Sequence, residues 1–199
     1  MGKRLFDLLL ASAGLVVLAP LLLAIALWIK LDSPGPVFFR QLRVGRHGAL
    51  FRIHKFRTMR HGAEDAAAAP LTVGADPRIT RAGARLRRAK LDELPQLLDV
   101  VAGRMSLVGP RPEVPRYVAL YPAPLRAKVL SVRPGLTDPA SIEYRDESAL
   151  LARAADPERE YVEVVMPAKL RAAARYVDQM SLATDVRVLG ATLRALWLH

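Results

Sequence analysis

Hydrophobic and polar positions fall into two regimes along this chain. Leu8 to Ile29 is an unbroken uncharged run of 22 residues. At ~1.5 Å per residue a straight helix of that length reaches ~33 Å, enough for a ~30 Å hydrocarbon layer. Pro20 lies near the middle of the run. It removes the N–H that would bond the Val16 carbonyl, and its ring crowds that turn, so a kink or break is expected at Ala19-Pro20. Lys3 and Arg4 precede the run, and Lys30, Arg40, Arg43 and Arg46 follow it. Positive flanks favour the cytoplasmic side, so both ends prefer one face of the membrane. These residues leave open a spanning helix and a re-entrant helix-break-helix that enters and leaves by one face. A cleaved signal peptide fits less well, because the run is long and its small-residue cleavage site weak.

Beyond Ser33-Pro34-Gly35-Pro36, which stops the helix, the pattern changes to short segments. Residues 37–41 and 51–56 predict two short strands, and the glycines of Val44-Gly45-Arg46-His47-Gly48 suit a hairpin between them. Glu64 to Ala69 is Ala-rich and suits a helical turn or a loop. Helices are expected over 79–88 and 91–101, the second with Leu94, Leu97, Leu98 and Val101 at helical spacing and Gly103 as its C-terminal cap. Further helices are expected over 116–130, 147–155, 158–177 and 184–198, with Pro124 and Pro167 as candidate breaks. In the last, Val186, Leu189, Leu193, Leu196 and Trp197 form an apolar stripe that suits either core packing or the headgroup layer. The fold class is mostly α with a small β element: residues 1–32 form a membrane unit and 33–199 one α+β domain.

Composition sharpens this picture in two ways. Zero cysteines exclude a disulfide framework, a thiol nucleophile and cysteine-ligated metal, and only four histidines remain. The net charge is +11, and residues 34–111 alone carry +9. Such a local excess suits a phosphate-rich partner: nucleic acid, anionic headgroups or a nucleotide.

Four clusters carry candidate chemistry. In Arg85-Leu86-Arg87-Arg88-Ala89-Lys90-Leu91-Asp92-Glu93-Leu94-Pro95-Gln96, two carboxylates follow a run of cations at a helix start. Ordinary capping explains such a pair, but Pro95 would interrupt a helix begun earlier and re-aim both carboxylates. In Ser106-Leu107-Val108-Gly109-Pro110-Arg111-Pro112, two prolines fix the backbone around a guanidinium whose fork suits phosphate. Lys55-Phe56-Arg57-Thr58-Met59 alternates as an edge strand does, which would leave its charges solvated. Arg133-Pro134-Gly135-Leu136-Thr137 suits a type II turn.

Taken in order, the apolar segment, S-P-G-P, K-F-R-T-M, D-P-R-I-T, L-D-E-L-P-Q-L, M-S-L-V-G-P-R-P and R-P-G-L-T resemble the bacterial sugar transferase family of monotopic phosphoglycosyl transferases, in its minimal form comprising the catalytic domain alone. The resemblance runs from Lys3-Arg4-Leu5-Phe6-Asp7 to the C-terminal helices. It implies transfer of a sugar 1-phosphate from a nucleoside diphosphate sugar, usually a UDP-sugar, to polyprenol (undecaprenyl) phosphate, with release of UMP. That is the first membrane step of glycoconjugate or polysaccharide synthesis. The resemblance further implies a covalent aspartyl-phosphosugar intermediate and an obligatory Mg2+. Carried over residue by residue, it makes Asp92 the nucleophile and Glu93 its partner, both as metal ligands. Lys55, Arg87 and Arg111 become candidate phosphate contacts, and Arg145 a further one. Ala19-Pro20 takes the place of the family's helix-breaking pair, often Ser-Pro, and the family's topology favours re-entry. The implied location is the bacterial inner membrane, with the catalytic domain facing the cytoplasm against inner-leaflet phospholipids and a homodimer left open.

One segment departs from the pattern. After Pro-Gly many members read T-G-W-A-Q-V-N-G, whereas Leu136-Thr137-Asp138-Pro139-Ala140-Ser141-Ile142-Glu143-Tyr144-Arg145 stands here, which leaves the donor sugar open. Two other classes compete with the enzyme. A membrane-tethered nucleic-acid binder would use the positive charge, but few aromatics interleave with it and no recognised binding motif occurs, so nucleic acid is not an expected partner. A membrane-anchored scaffold would use the apolar segment. Neither accounts for L-D-E-L-P-Q together with G-P-R-P.

Overall fold

The uncharged run and its flanks fold as one helix, α1, Gly2–Asp32. The structure, a computed structural model, describes residues 2–62, 71–74 and 76–197. The Ala-rich stretch from Glu64 to Ala69 lies outside the described residues. Along α1, Asp7, Ala11, Ile25 and Ile29 are buried, and Leu15, Leu18 and Leu22 pack beside them, a stripe at helical spacing turned toward the rest of the chain. The opposite face is Leu5, Leu9, Val16, Val17, Leu23, Leu27 and Leu31, with Val16 and Val17 75% and 76% exposed. An apolar face this long with no protein over it suits lipid.

Helical backbone continues through Ala19-Pro20, where a kink or break was expected. Pro20 costs one hydrogen bond, and it sits on the exposed side of a helix held along both halves. The N-terminal half packs on Leu97, Val100 and Met105, the C-terminal half on Phe56, Leu86 and Leu91.

Buried polar groups fasten both ends of α1. Near the N-terminus the Arg4 guanidinium donates to the carbonyls of Val100 (2.6 Å) and Val101 (3.0 Å). Asp7 accepts from the Leu107 N–H (3.1 Å) and the Ser106 hydroxyl (2.7 Å). Lys3 Nζ donates to Asp185 (2.5 Å) and to the Val108 carbonyl (3.1 Å). At the far end Asp32 accepts from the Ala82 N–H (3.1 Å). Arg57, expected on a solvated edge, is instead only 2% exposed. Its guanidinium donates to the carbonyls of Ser33 (2.8 Å), Pro34 and Ile29 (3.4 Å). The last carbonyls of a helix have no partner within it, and a buried guanidinium supplies several donors at once.

The hairpin forms, as two nested pairs. β2 (Leu42–Val44) and β3 (Leu50–Arg52) are the inner antiparallel pair, with Val44 opposite Leu50; β1 (Phe38–Phe39) and β4 (Lys55–Phe56) are the outer one, with Phe38 opposite Phe56. The first expected strand is therefore shorter, and Leu42–Val44 is an additional one. α2 (Arg81–Arg88) follows, its N-terminal N–H of Gly83 capped by the Thr80 hydroxyl at 3.0 Å. A Cβ on Gly83 would lie 2.0 Å from the Thr58 carbonyl oxygen, so α2 sits directly on the backbone of the K-F-R-T-M segment.

Three expected helices are divided, two of them at prolines. Residues 91–101 split into a 3-10 turn, Leu91–Gln96, that contains Pro95, and α3, Leu97–Val101. Gly103 takes φ +78°, as expected of a C-terminal cap. Residues 116–130 become α4 (Pro115–Val118) and α5 (Ala123–Val129), separated before Pro124. Residues 158–177 become α8 (Pro157–Glu160), a π-type turn at Tyr161–Val165 and α9 (Met166–Asp178), the π turn meeting the missing N–H of Pro167.

The largest correction is at R-P-G-L-T. A type II turn would need positive φ at Gly135, and Gly135 does not have it. Gly135–Thr137 is instead strand β6, parallel to β5 (Ser106–Val108). A Cβ on Gly135 would lie 2.1 Å from Gly109 N, so glycine serves close approach of two backbones rather than a turn. α6 (Pro139–Glu143) and α7 (Glu147–Leu151) follow β6, and α10 (Leu182–Trp197) ends the described chain. In α10 the buried side is Asp185 and Val188, with Leu189 packed against the core. Val186, Leu193 and Leu196 of the expected stripe are exposed.

Candidate active site

Pro95 decides the geometry of L-D-E-L-P-Q. With a 3-10 turn of three residues per revolution, Asp92 and Pro95 stack on the buried side and Glu93 projects about 120° away. Lys90, ahead of the turn, adopts the left-handed conformation (φ +56°, ψ +21°), which reverses the chain between the end of α2 and Asp92. Lys55 comes from β4, beside Phe56. Arg111 comes from the Pro-bracketed loop after β5. Leu91 and Phe56, sequence neighbours of Asp92 and Lys55, both pack on α1, so the site adjoins the membrane helix.

These elements bring Lys55, Asp92, Glu93 and Arg111 together. The Arg111 guanidinium grips Glu93 with two nitrogens, one at 2.9 Å from Oε2 and the other on Oε1. Lys55 Nζ donates to the same Oε1 at 2.7 Å and stands 3.9 Å from Asp92 Oδ2. Asp92 is 7% exposed, and its Oδ1 is buried with no hydrogen-bond partner among the described residues. Burial pushes the Asp92 carboxyl above its ordinary value and Glu93 adds to the rise, while Lys55, Arg87 and Lys90 pull the other way. Burial would also raise Glu93, but Arg111 and Lys55 outweigh it and hold Glu93 well below its ordinary value. Glu93 in turn holds the Arg111 guanidinium above its own.

The remaining candidates fall differently. Arg87, in the last turn of α2, acts on Asp92 through its charge but makes no side-chain hydrogen bond among the described residues. The Arg145 guanidinium donates to the Ala195 carbonyl of α10; its main-chain carbonyl meets the site by accepting from Lys90 Nζ at 3.2 Å. Ala19 and Pro20 lie within α1.

Three supporting groups escaped the sequence reading. Asp138 is 2% exposed, caps α6 through Ser141 N–H (2.6 Å) and accepts the Arg111 backbone N–H (3.3 Å). Asp ahead of Pro at a helix start was the available signal. Glu113 accepts from Arg43 (2.9 Å), Tyr161 (2.5 Å) and the Val114 N–H (2.7 Å), holding the other side of the Arg111 loop to β2 and the π turn. Lys90 is the third, set beside Asp92 by its left-handed backbone.

No group of three His, Asp or Glu residues among the described residues is arranged to hold a metal ion. Both oxygens of Glu93 already face cations. The unpartnered Asp92 Oδ1 is the donor that remains for a divalent ion. A buried carboxylate beside fixed cations suits nucleophilic attack on a phosphorus whose anionic oxygens those cations can hold.

The family model described as bacterial sugar transferase matches residues 1–199. An exopolysaccharide production protein (PSS) of Rhizobium leguminosarum is 55% identical over 109 residues, 55% of this chain and 54% of that protein. A UDP-glucose:undecaprenyl-phosphate glucose-1-phosphate transferase of Caulobacter vibrioides is 41% identical over 196 residues, 98% of this chain and 69% of its own. A UDP-N-acetylgalactosamine-undecaprenyl-phosphate N-acetylgalactosaminephosphotransferase of Aeromonas hydrophila is 36% identical over 98% of this chain, which spans 43% of it. The chain thus spans between about two fifths and two thirds of these relatives.

Proposed function

The chain belongs to the bacterial sugar transferase family, and on that premise we propose that it transfers a sugar 1-phosphate from a UDP-sugar to undecaprenyl phosphate, releasing UMP. The observation that carries this reading is the buried, unpartnered Asp92 Oδ1, held beside Lys55 and a Glu93-pinned Arg111.

An Asp92 carboxylate oxygen attacks the phosphorus that bears the sugar. A P–O bond forms to Asp92, the bond to the bridging pyrophosphate oxygen breaks, and UMP leaves with that electron pair. An oxygen of undecaprenyl phosphate then attacks the same phosphorus and returns Asp92 to its carboxylate. Splitting the transfer lets the soluble nucleotide leave before the lipid reacts. Lys55 and Arg111 hold the phosphate oxygens as charge builds, in positions fixed beforehand by Glu93 and Asp138. Mg2+, when bound, would offset the charge of the pyrophosphate, and Asp92 Oδ1 is the ligand this chain offers it.

α1 and its positive flanks support a membrane placement. Both its ends are fastened to one body while its outer face is apolar, which supports re-entry from the cytoplasmic face of the inner membrane rather than a span. The exposed Val186, Leu193 and Leu196 of α10 add an interfacial face. The two donors named for the relatives differ in their sugar, and the chain's own donor is to be found with a UDP-sugar panel.

Intact-mass analysis with the correct UDP-sugar and Mg2+, but no lipid acceptor, tests the mechanism. The expected result is added sugar-phosphate mass on the peptide holding Asp92, lost in Asp92→Asn. UMP release that strictly requires the lipid, with no adduct, would mean direct transfer in a ternary complex.

A further inference from the structure

The site's charges do not balance without a ligand. Lys55 and Arg111 are matched by Asp92 and Glu93, so those four sum to zero, and the buried Asp138 behind Arg111 adds one negative charge. Arg87 and Lys90 remain, two cations with no carboxylate partner among the described residues. Lys90 lies close enough to Asp92 to act on its charge, and its side chain is exposed on the approach to the site. Its one hydrogen bond is to the Arg145 carbonyl, a neutral acceptor that an anion outcompetes.

The backbone at Lys90 points the same way. A left-handed residue at the end of a helix is usually Gly or Asn. A lysine there carries strain, and strain of this kind gathers at functional positions. The substrate of the proposed reaction is an anion that these two cations can face: the pyrophosphate of a nucleoside diphosphate sugar.

Building on the functional reading above, we propose that Lys90 is a donor-binding residue whose ammonium, together with Arg87, receives the pyrophosphate of the nucleoside diphosphate sugar. Lys55 and Arg111, already matched, then serve the phosphoryl group under attack.

The test uses the full chain in detergent and UDP as the probe. Lys90→Asn removes the charge but keeps a residue that tolerates the left-handed backbone. It should raise the UDP dissociation constant about tenfold, the scale of one charge-assisted hydrogen bond, and flatten its dependence on salt. Its melting temperature should stay within about 2 °C of the parent, as expected of a surface exchange that spares the backbone. Lys90→Arg should bind UDP much as the parent does. A dissociation constant for Lys90→Asn within about twofold of the parent, where the lost bond predicts tenfold, would overturn the assignment, as would Lys90→Arg binding no better than Lys90→Asn. A parent protein that neither binds UDP nor releases UMP from any UDP-sugar would overturn the functional reading itself, and Lys90 with it.

Discussion

Glu93 is the counter-ion on which the site's geometry depends, and Glu93→Gln tests that role directly. The carboxylate receives two bonds from Arg111 and one from Lys55. Glutamine keeps the shape but leaves two cations facing each other across a neutral amide. Removing one partner of a buried ion pair costs about 3–5 kcal/mol. The lower end, about 3 kcal/mol, applies because the Arg111 side chain is 32% exposed and water replaces part of what it loses. At about 2–4 °C per kcal/mol for a chain of this size, the melting temperature in detergent should fall by roughly 6–12 °C. UMP release should fall as well, because Arg111 and Lys55 lose their fixed positions. Thermal melts and activity across a Mg2+ titration are the assays. A melting temperature within about 2 °C of the parent, below the shift expected from 1 kcal/mol, would refute the anchoring role. Full recovery of activity at high Mg2+ would make Glu93 a metal ligand instead.

Three further outcomes are expected. Gly135→Ala puts a Cβ 2.1 Å from Gly109 N and 2.4 Å from its carbonyl oxygen. It should cost more than about 4 kcal/mol, whereas Gly190→Ala, with open space around it in α10, should leave the melting temperature unchanged or raise it; near-parental melting of Gly135→Ala would show the strands separable. Arg43, the Tyr161 hydroxyl and the Val114 N–H together overcome the burial of Glu113 and hold its carboxyl below the ordinary value of 4.5. Its stabilisation is therefore full above that value and lost as pH falls through the folded-state one, so the melting difference between the parent and Glu113→Gln should shrink from pH 7 to pH 3, and a constant difference would remove Glu113 from the acid response. Because the chain has no cysteine, single cysteines at Gly2 and Pro36 report topology cleanly: both should resist a periplasmic thiol reagent, and labelling of only one would establish a span.

The four central residues were legible through the ordered motifs and the family they resemble; the residues alone left Asp92 and Glu93 open to ordinary capping and Lys55 to a solvated strand edge. Pro95 re-aims Asp92 and Glu93, the two prolines around Arg111 fix its loop, and alternation places Lys55 on a strand. What was not legible is pairing at a distance. Ser106 and Gly135 are adjacent strand residues with no periodicity between them, and a Pro-Gly dipeptide is as good a turn signal as a close-approach signal. Arg57 shows the same limit, since alternation marks a strand but says nothing of the helix carbonyls above it. Arg43 and Glu113 meet only because the hairpin and the Arg111 loop fold together. Arg145 had the right residue type, yet the end of α10 takes its guanidinium. Pro20 shows the converse: helical backbone runs on through a local breaker signal, with packed residues on both sides of it.

The fastening of α1 at both ends bears on the order in which the molecule can be completed. Lys3 is synthesised 182 residues before its partner Asp185, so the contact between them closes only after all the residues between them exist. Asp7 must wait for Ser106 and Leu107, and Ile29 for Leu86. Until then α1 has nothing to cover its inner stripe except lipid. On the membrane placement proposed above, the bilayer would serve as a holding surface during synthesis, with the domain condensing onto a helix already in place there. A shortened chain without residues 2–32 would be no freestanding enzyme, since Leu97, Val100, Met105, Phe56 and Leu86 would lose the surface they pack on and Arg57 its Ile29 acceptor. α1 is as much a piece of the core as an apolar outer surface.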